Sequence, residues 1–172
     1  MLGDGVVVTN AHVVAGSDEI RVQVQGRGML HEAEPIWYDA QNDIAIVRAE
    51  SARGIPALPV VLEPRPGTSA AVLGFPGGGA YKVKAARLGQ TAKIPGRKVE
   101  GRFVRREVTS LRAAIKPGNS GGPAVDRRGR VITTVFAGAK GGHSAYGVPM
   151  AVVAKARRRA GPPVETGRCR EQ

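Results

Sequence analysis

A chain of 172 residues with 42% apolar side chains is long enough to bury its own core, and 24 glycines with 12 prolines divide it into many short elements. That balance excludes a disordered chain, and a single cysteine, Cys169, excludes an internal disulfide framework. Twenty-six lysines and arginines against 14 acids give a formal charge of +12, in clusters at 97–98, 102–106, 127–130 and 155–159. These clusters lack interleaved stacking aromatics and a recognition helix, so they read as a solvated basic face and no nucleic-acid partner is expected.

In chain order, residues 5–16 read as a short apolar strand that runs into His12 and then a turn. Ile20, Val22 and Val24 alternate with Arg21, Gln23 and Gln25, the period of a half-buried strand. Residues 29–38 form a weaker strand, on which His31 reads as a surface residue with no metal-ligand spacing around it. Asp43 then stands at the head of the apolar run Ile44-Ala45-Ile46-Val47. A carboxylate placed there needs a hydrogen-bond donor, because burial without one is costly. Asp39 is the competing acid, but its polar neighbours read as a turn.

Between residues 49 and 67 the prolines Pro56, Pro59, Pro64 and Pro66 mark a connection, with a short strand at 58–62. Further strands are expected at 69–75, 81–88, 103–114, 130–137 and 144–148, with a basic loop at 93–102. Residues 149–160 open on a proline, stop before Gly161-Pro162 and carry the one convincing helix. Strands of similar length at short intervals with a terminal helix predict an all-β barrel protein. The expected division is a first lobe at 1–62, a second at 63–160 with the helix, and a tail at 161–172.

The chemistry concentrates in Lys116-Pro117-Gly118-Asn119-Ser120-Gly121-Gly122-Pro123. Glycines on both sides of a serine allow a sharp turn whose amide N–H groups converge. Gly118 and Ser120 are the expected oxyanion-hole donors, worth about 2.7–4 kcal/mol each in a transition state. The same residues match a Gly-x-Ser-x-Gly nucleophile elbow, after which Asp126 and His143 would follow. That elbow demands a helix directly after the serine, and Gly121-Gly122-Pro123 opposes one. His12, Asp43 and Ser120 instead come in the order of a serine triad, drawn from three separate strand ends.

Three segments, Thr9-Asn10-Ala11-His12-Val13-Val14, Asn42-Asp43-Ile44-Ala45-Ile46-Val47 and Pro117-Gly118-Asn119-Ser120-Gly121-Gly122-Pro123, resemble the trypsin-like serine proteases in their HtrA/DegP branch. Val72-Leu73-Gly74-Phe75-Pro76-Gly77-Gly78-Gly79 and the tail carrying Cys169 are similar to the membrane-anchored periplasmic acid-resistance proteases of the MarP type. The resemblance implies two six-stranded antiparallel barrels, a serine endopeptidase acting without cofactor or metal, protein or peptide substrates, and an envelope location. It also implies an upstream membrane domain and an upstream cysteine pairing with Cys169. Only eleven residues precede His12, where the fold ordinarily supplies about two strands, so the first barrel is expected to be incomplete. Such a barrel would have open strand edges and a poorly held His12. Ala113, Ala114 and Ile115 match the stretch that lines the primary pocket, and Phe136, Ala137 and Gly138 match an edge for peptide pairing. They carry no carboxylate, so small or medium apolar side chains are expected at the cleaved position. The competing expectations are an inactive protease-fold binding module and a basic binder of nucleic acid or anionic membrane.

Overall fold

The computed structural model describes residues 1–99, 102–138 and 142–167. Cys169 and its pairing lie outside them. The described strands form two sheets. Strands β1 (Val6–Thr9), β2 (Ile20–Gln23), β3 (Leu30–Asp39) and β4 (Ile44–Arg48) make an open antiparallel sheet in the order β1-β4-β3-β2. The other six are β5 (Ser69–Gly74), β6 (Lys82–Val99), β7 (Arg102–Arg112), β8 (Pro123–Asp126), β9 (Val131–Gly138) and β10 (Ser144–Pro149). They close into a barrel in the order β10-β7-β6-β5-β8-β9. The expected architecture stands: a complete six-stranded barrel, an incomplete first one, and a C-terminal helix.

Strand β4 explains the continuous apolar run in the sequence. Ile44 and Ile46 point into a core shared with the barrel, where Val108, Val125, Phe136, Val148, Met150 and Val153 meet them. Ala45 and Val47 point the other way and pack with Val14, Ile20, Val22 and Tyr38. A strand covered on both faces has no polar positions to alternate. The barrel keeps a separate core of its own, formed by Val72, Leu88, Leu111, Ala124, Ile132 and Val135.

Helix α2 (Met150–Arg159) buries Met150, Val153 and Ala156, and its last turn carries Arg157, Arg158 and Arg159. Those cations lie at the negative end of the helix dipole, where they are favourable. Beyond it the chain turns back onto the first sheet. Gly161 and Val164 donate their N–H groups to the carbonyls of Ile36 and Pro35, and Thr166 Oγ1 accepts from Gly16 N.

Several local expectations need correction. The basic loop expected at 93–102 is strand: β6 and β7 stay paired through Lys93↔Glu107 and beyond. Antiparallel pairing tolerates charged side chains on a solvated face, and Thr91 Oγ1 and Thr109 Oγ1 bond across the ladder at 2.8 Å. The strand expected at 58–62 reduces to one parallel bridge, Val60↔Val131. His31 is buried rather than exposed, with Nδ1 2.9 Å from Ser51 Oγ. His12 lies on a one-turn helix, α1 (Ala11–Val14), that follows β1 rather than on the strand itself.

Candidate active site

The serine turn is fixed to the barrel from below. Asn119 N donates to Lys116 O at 3.2 Å, closing a turn with Pro117 and Gly118 at its centre. Gly118 has φ +90°, and a Cβ there would collide with the carbonyl oxygen of Phe75. Proline followed by a residue at positive φ is the type II pattern, and here only glycine fits. Phe75 N donates to Gly118 O at 3.3 Å and Gly77 N to Pro117 O at 2.7 Å. The carbonyls are thereby occupied, whereas the N–H groups of Gly118 and Ser120 have no partner among the described residues.

The segment after the serine overturns the nucleophile-elbow alternative. Gly121 N donates to Val135 O and Gly122 N to Asn119 O, and β8 begins at Pro123 where the elbow requires a helix. Asp126 is engaged in its own hairpin, accepting from Arg128 N, Arg130 N and the Arg130 guanidinium. His143 is exposed and contributes only its carbonyl, to Ala113 N at 2.7 Å.

Asp43 and His12 meet on the first sheet. The two Asp43 carboxylate oxygens lie 2.9 and 2.8 Å from His12 Nδ1, and Oδ1 also accepts the His12 backbone N–H at 3.0 Å. The carboxylate is thus supplied with the donors that its position demanded. Asp43 adopts φ +55°, a left-handed conformation that aspartate tolerates better than most residues. Asp39 instead caps the β3–β4 turn, accepting from Gln41 N, Asn42 N and Asn42 Nδ2. With the Nδ1 proton held by Asp43, the lone pair of His12 is on Nε2. That nitrogen is the one left to act on a partner.

His12 and Ser120 line one cleft of about 670 Å³, together with Ile115, Gly118, Phe136 and Gly138. Ala113 lies in the barrel core and Ala114 is exposed, so neither shares this lining. The side chain of Ala137 lies outside the described residues. Phe136 is nearly buried, with the Arg106 guanidinium 4.3 Å from its ring centroid. The 136–138 segment pairs with β10 on one side through Tyr146↔Ala137 and Ala145↔Gly138. On the other side β8 pairs as far as Pro123↔Thr134 and Gly121 and Gly122 bond to Val135; beyond Val135 no strand pairs with that edge among the described residues. No carboxylate lines the cleft, and no cluster of metal-ligating side chains occurs among the described residues.

A model of the trypsin-like peptidase domain matches residues 2–133. The chain belongs to the trypsin-like peptidase family. It is 36% identical over 138 residues to the serine protease Rv3671c of Mycobacterium tuberculosis, covering 77% of this chain and 34% of that protein. It is 33% identical over 138 residues to a probable periplasmic DegP-like serine endoprotease of Ectopseudomonas mendocina, covering 75% of this chain and 26% of the relative. The chain therefore spans about a third or less of these relatives. The crystal structure of the Rv3671c protease in its active form superposes with a TM-score of 0.88 at 33% identity, covering 98% of this chain and 76% of that one. Its inactive form gives 0.80, covering 94% and 82%. The resemblance to the HtrA/DegP and MarP-type proteases is thereby established at the level of family.

One residue at the site went unremarked in the sequence. Asn10 is fully buried, and its side chain bonds to Asp43 O and to Gly121 N. The available signal was an amide between Thr9 and Ala11, two positions before the histidine, at the end of an apolar run.

Proposed function

We propose that this chain is the protease domain of a serine endopeptidase that cleaves peptide bonds through His12, Asp43 and Ser120. The observation that carries the reading is the doubly held His12 Nδ1, which leaves Nε2 for the cleft that Ser120 also lines. Ser120 Oγ attacks the scissile carbonyl carbon as His12 Nε2 takes its proton. Negative charge develops on the carbonyl oxygen, and the N–H groups of Gly118 and Ser120 stabilise it. His12 then returns the proton to the leaving amine, and an acyl-enzyme remains on Ser120. Water, deprotonated by the same nitrogen, releases the acid product. Asp43 holds the imidazole in the useful tautomer and stabilises its cation throughout.

Substrate binds as an extended peptide along the free edge at 136–138, and its cleaved side chain enters the space beside Ile115 and Phe136. A small or medium apolar side chain fits that lining, since Ile115 and Phe136 offer dispersion contacts and no carboxylate to pair with a base. The names of the relatives, periplasmic among them, support work in the cell envelope. A role in envelope stress or acid resistance, with tethering to the membrane in the whole protein, follows as part of the same reading. Among the described residues no helix is long and apolar enough to cross a membrane.

The test is covalent labelling by a fluorophosphonate. The chain should label at a single site, and Ser120→Ala and His12→Ala should not. Labelling that survives Ser120→Ala would place the nucleophile elsewhere. A folded chain that never labels would leave the protease-fold binding module as the better reading.

A further inference from the structure

We propose that Asn10 is a positioning residue that ties the His12–Asp43 pair to the serine turn; the inference rests on the triad reading above. Asn10 occupies the N-cap of α1, where an asparagine side chain ordinarily accepts from the first free N–H groups of its own helix. Here it makes no such bond. Its two polar atoms are spent on distant segments instead. Nδ2 donates to Asp43 O at 2.9 Å, and Oδ1 accepts from Gly121 N at 2.6 Å.

Both partners sit at backbone positions that need holding. Asp43 has φ +55°, and the carbonyl that Asn10 grips belongs to that same residue. Gly121 follows the nucleophile directly and has φ +79°, with space for a Cβ blocked by Thr9 Oγ1 at 2.5 Å. One fully buried amide therefore fixes the backbone of the carboxylate and the residue next to the serine, while His12 lies two residues along its own chain. The Gly121 N–H is shared between Asn10 Oδ1 and Val135 O, whereas a buried amide that lost either of its own bonds would carry an unsatisfied polar group. The site's alignment between sheet and barrel is set through Asn10 and does not depend on lobe packing alone. Asn10 does not line the cleft, so its loss should act on turnover rather than on substrate binding.

The experiment compares the chain with Asn10→Ala, alone and combined with Asp43→Asn, by fluorophosphonate labelling rate and by peptide cleavage. Asn10→Ala should slow labelling on the order of 10²-fold, the scale of an ångström-level misplacement, with KM little changed. In the Asp43→Asn background the same change should cost less than about 3-fold, because coupled positions are not additive. A second readout needs no turnover: the Nδ1 proton of His12 by NMR, in the Ser120→Ala background, where three histidines keep assignment simple. Asn10→Ala should abolish or shift that resonance. Asn10→Asp, isosteric and still able to accept from Gly121, should do the same if the alanine variant fails to fold. An unchanged Nδ1 proton, or equal losses in both backgrounds, would overturn the proposal. If the parent chain does not label while the Nδ1 proton still responds to Asn10, the triad reading fails and the positioning role stands.

Discussion

The two sheets treat their edges in opposite ways. The six-stranded barrel pairs every strand on both sides and keeps a core of its own, with Val61 of the connecting segment packed against it. The four-stranded sheet leaves β1 and β2 as edges, and its Val6, Ile36, Ile44 and Ile46 are buried only because the barrel and α2 cover them. Their charges differ as well: residues 1–62 hold eight acids and four bases, whereas residues 63–172 hold six acids and twenty-two bases. Asp39 accordingly faces Lys93, Arg105, Lys155 and Arg159 across a groove between them. The proposed nucleophile and both candidate oxyanion donors thus belong to the closed half. The proposed base and its carboxylate belong to the open half, covered by the barrel and α2.

The comparison breaks hardest from the sheet side. Asp43→Asn keeps the shape and tolerates the left-handed backbone, but an amide cannot hold the imidazole with its proton on Nδ1. Activity should fall on the order of 10⁴-fold in kcat while the fold persists. A loss of less than tenfold in peptide cleavage would mean that Asp43 is not the orienting carboxylate.

From the barrel side the sharpest change is Gly118→Ala. The added methyl meets the Phe75 carbonyl at a positive φ, so the turn must reopen and withdraw an N–H from the cleft. The expected cost is about 10²–10³-fold in kcat. Circular dichroism should remain that of the parent, since the barrel core lies elsewhere. Wild-type turnover in this variant would remove Gly118 from the oxyanion hole.

Stability separates the halves more directly. Ile46 and Ile132 are both fully buried, one in the shared core and one in the barrel's own. Truncation to alanine should cost about 2–5 kcal/mol in either case. The consequences should differ. Ile46→Ala should loosen the sheet, raising hydrogen exchange in β1–β4 and lowering labelling of Ser120 before the barrel melts. Ile132→Ala should lower the global Tm with both sheets exchanging together. Identical exchange patterns for the two variants would show that the halves unfold as one unit.

The candidate site was legible because its proposed chemistry is local in sequence. A serine between glycines, an acid heading an apolar run and a histidine closing one each carry their own physical reason. The closed barrel was legible from strand spacing and the helix from its flanking Pro149 and Gly161. What stayed hidden depends on contacts between distant residues. The β6–β7 ladder runs through a charged stretch because strand partners, and not composition, satisfy its backbone. His31 is buried, and its ring bonds to Ser51 Oγ, twenty residues later in the chain. Asn10 gave no warning that its amide reaches Gly121, 111 positions away. The cleft lining followed the same rule: Ile115, Phe136 and Gly138 meet at Ser120, whereas past the end of β7 Ala113 is buried in the barrel core and Ala114 is exposed.

The smallest expected effect tests the barrel's own electrostatics. Burial alone would raise the Asp126 carboxyl, but the Arg130 N–H, the Arg130 guanidinium and the Arg128 N–H hold it below its ordinary range. A carboxyl depressed in the folded state adds stability above its unfolded pKa of about 3.9 and loses it as pH falls through the folded value. Asp126→Asn keeps the side-chain oxygen that accepts the two backbone N–H groups and removes the charge that pairs with Arg130. Its Tm should therefore lie below the parent's at pH 7, with the gap closing as pH drops under about 4. The hairpin joins β8 to β9, both barrel strands, so Ser120 labelling at pH 7 should not change. A gap that stays constant down to pH 2 would show that Asp126 acts through its hydrogen bonds alone. A loss of labelling would show that the barrel and the serine turn are less independent of this hairpin than their separate hydrogen bonding indicates.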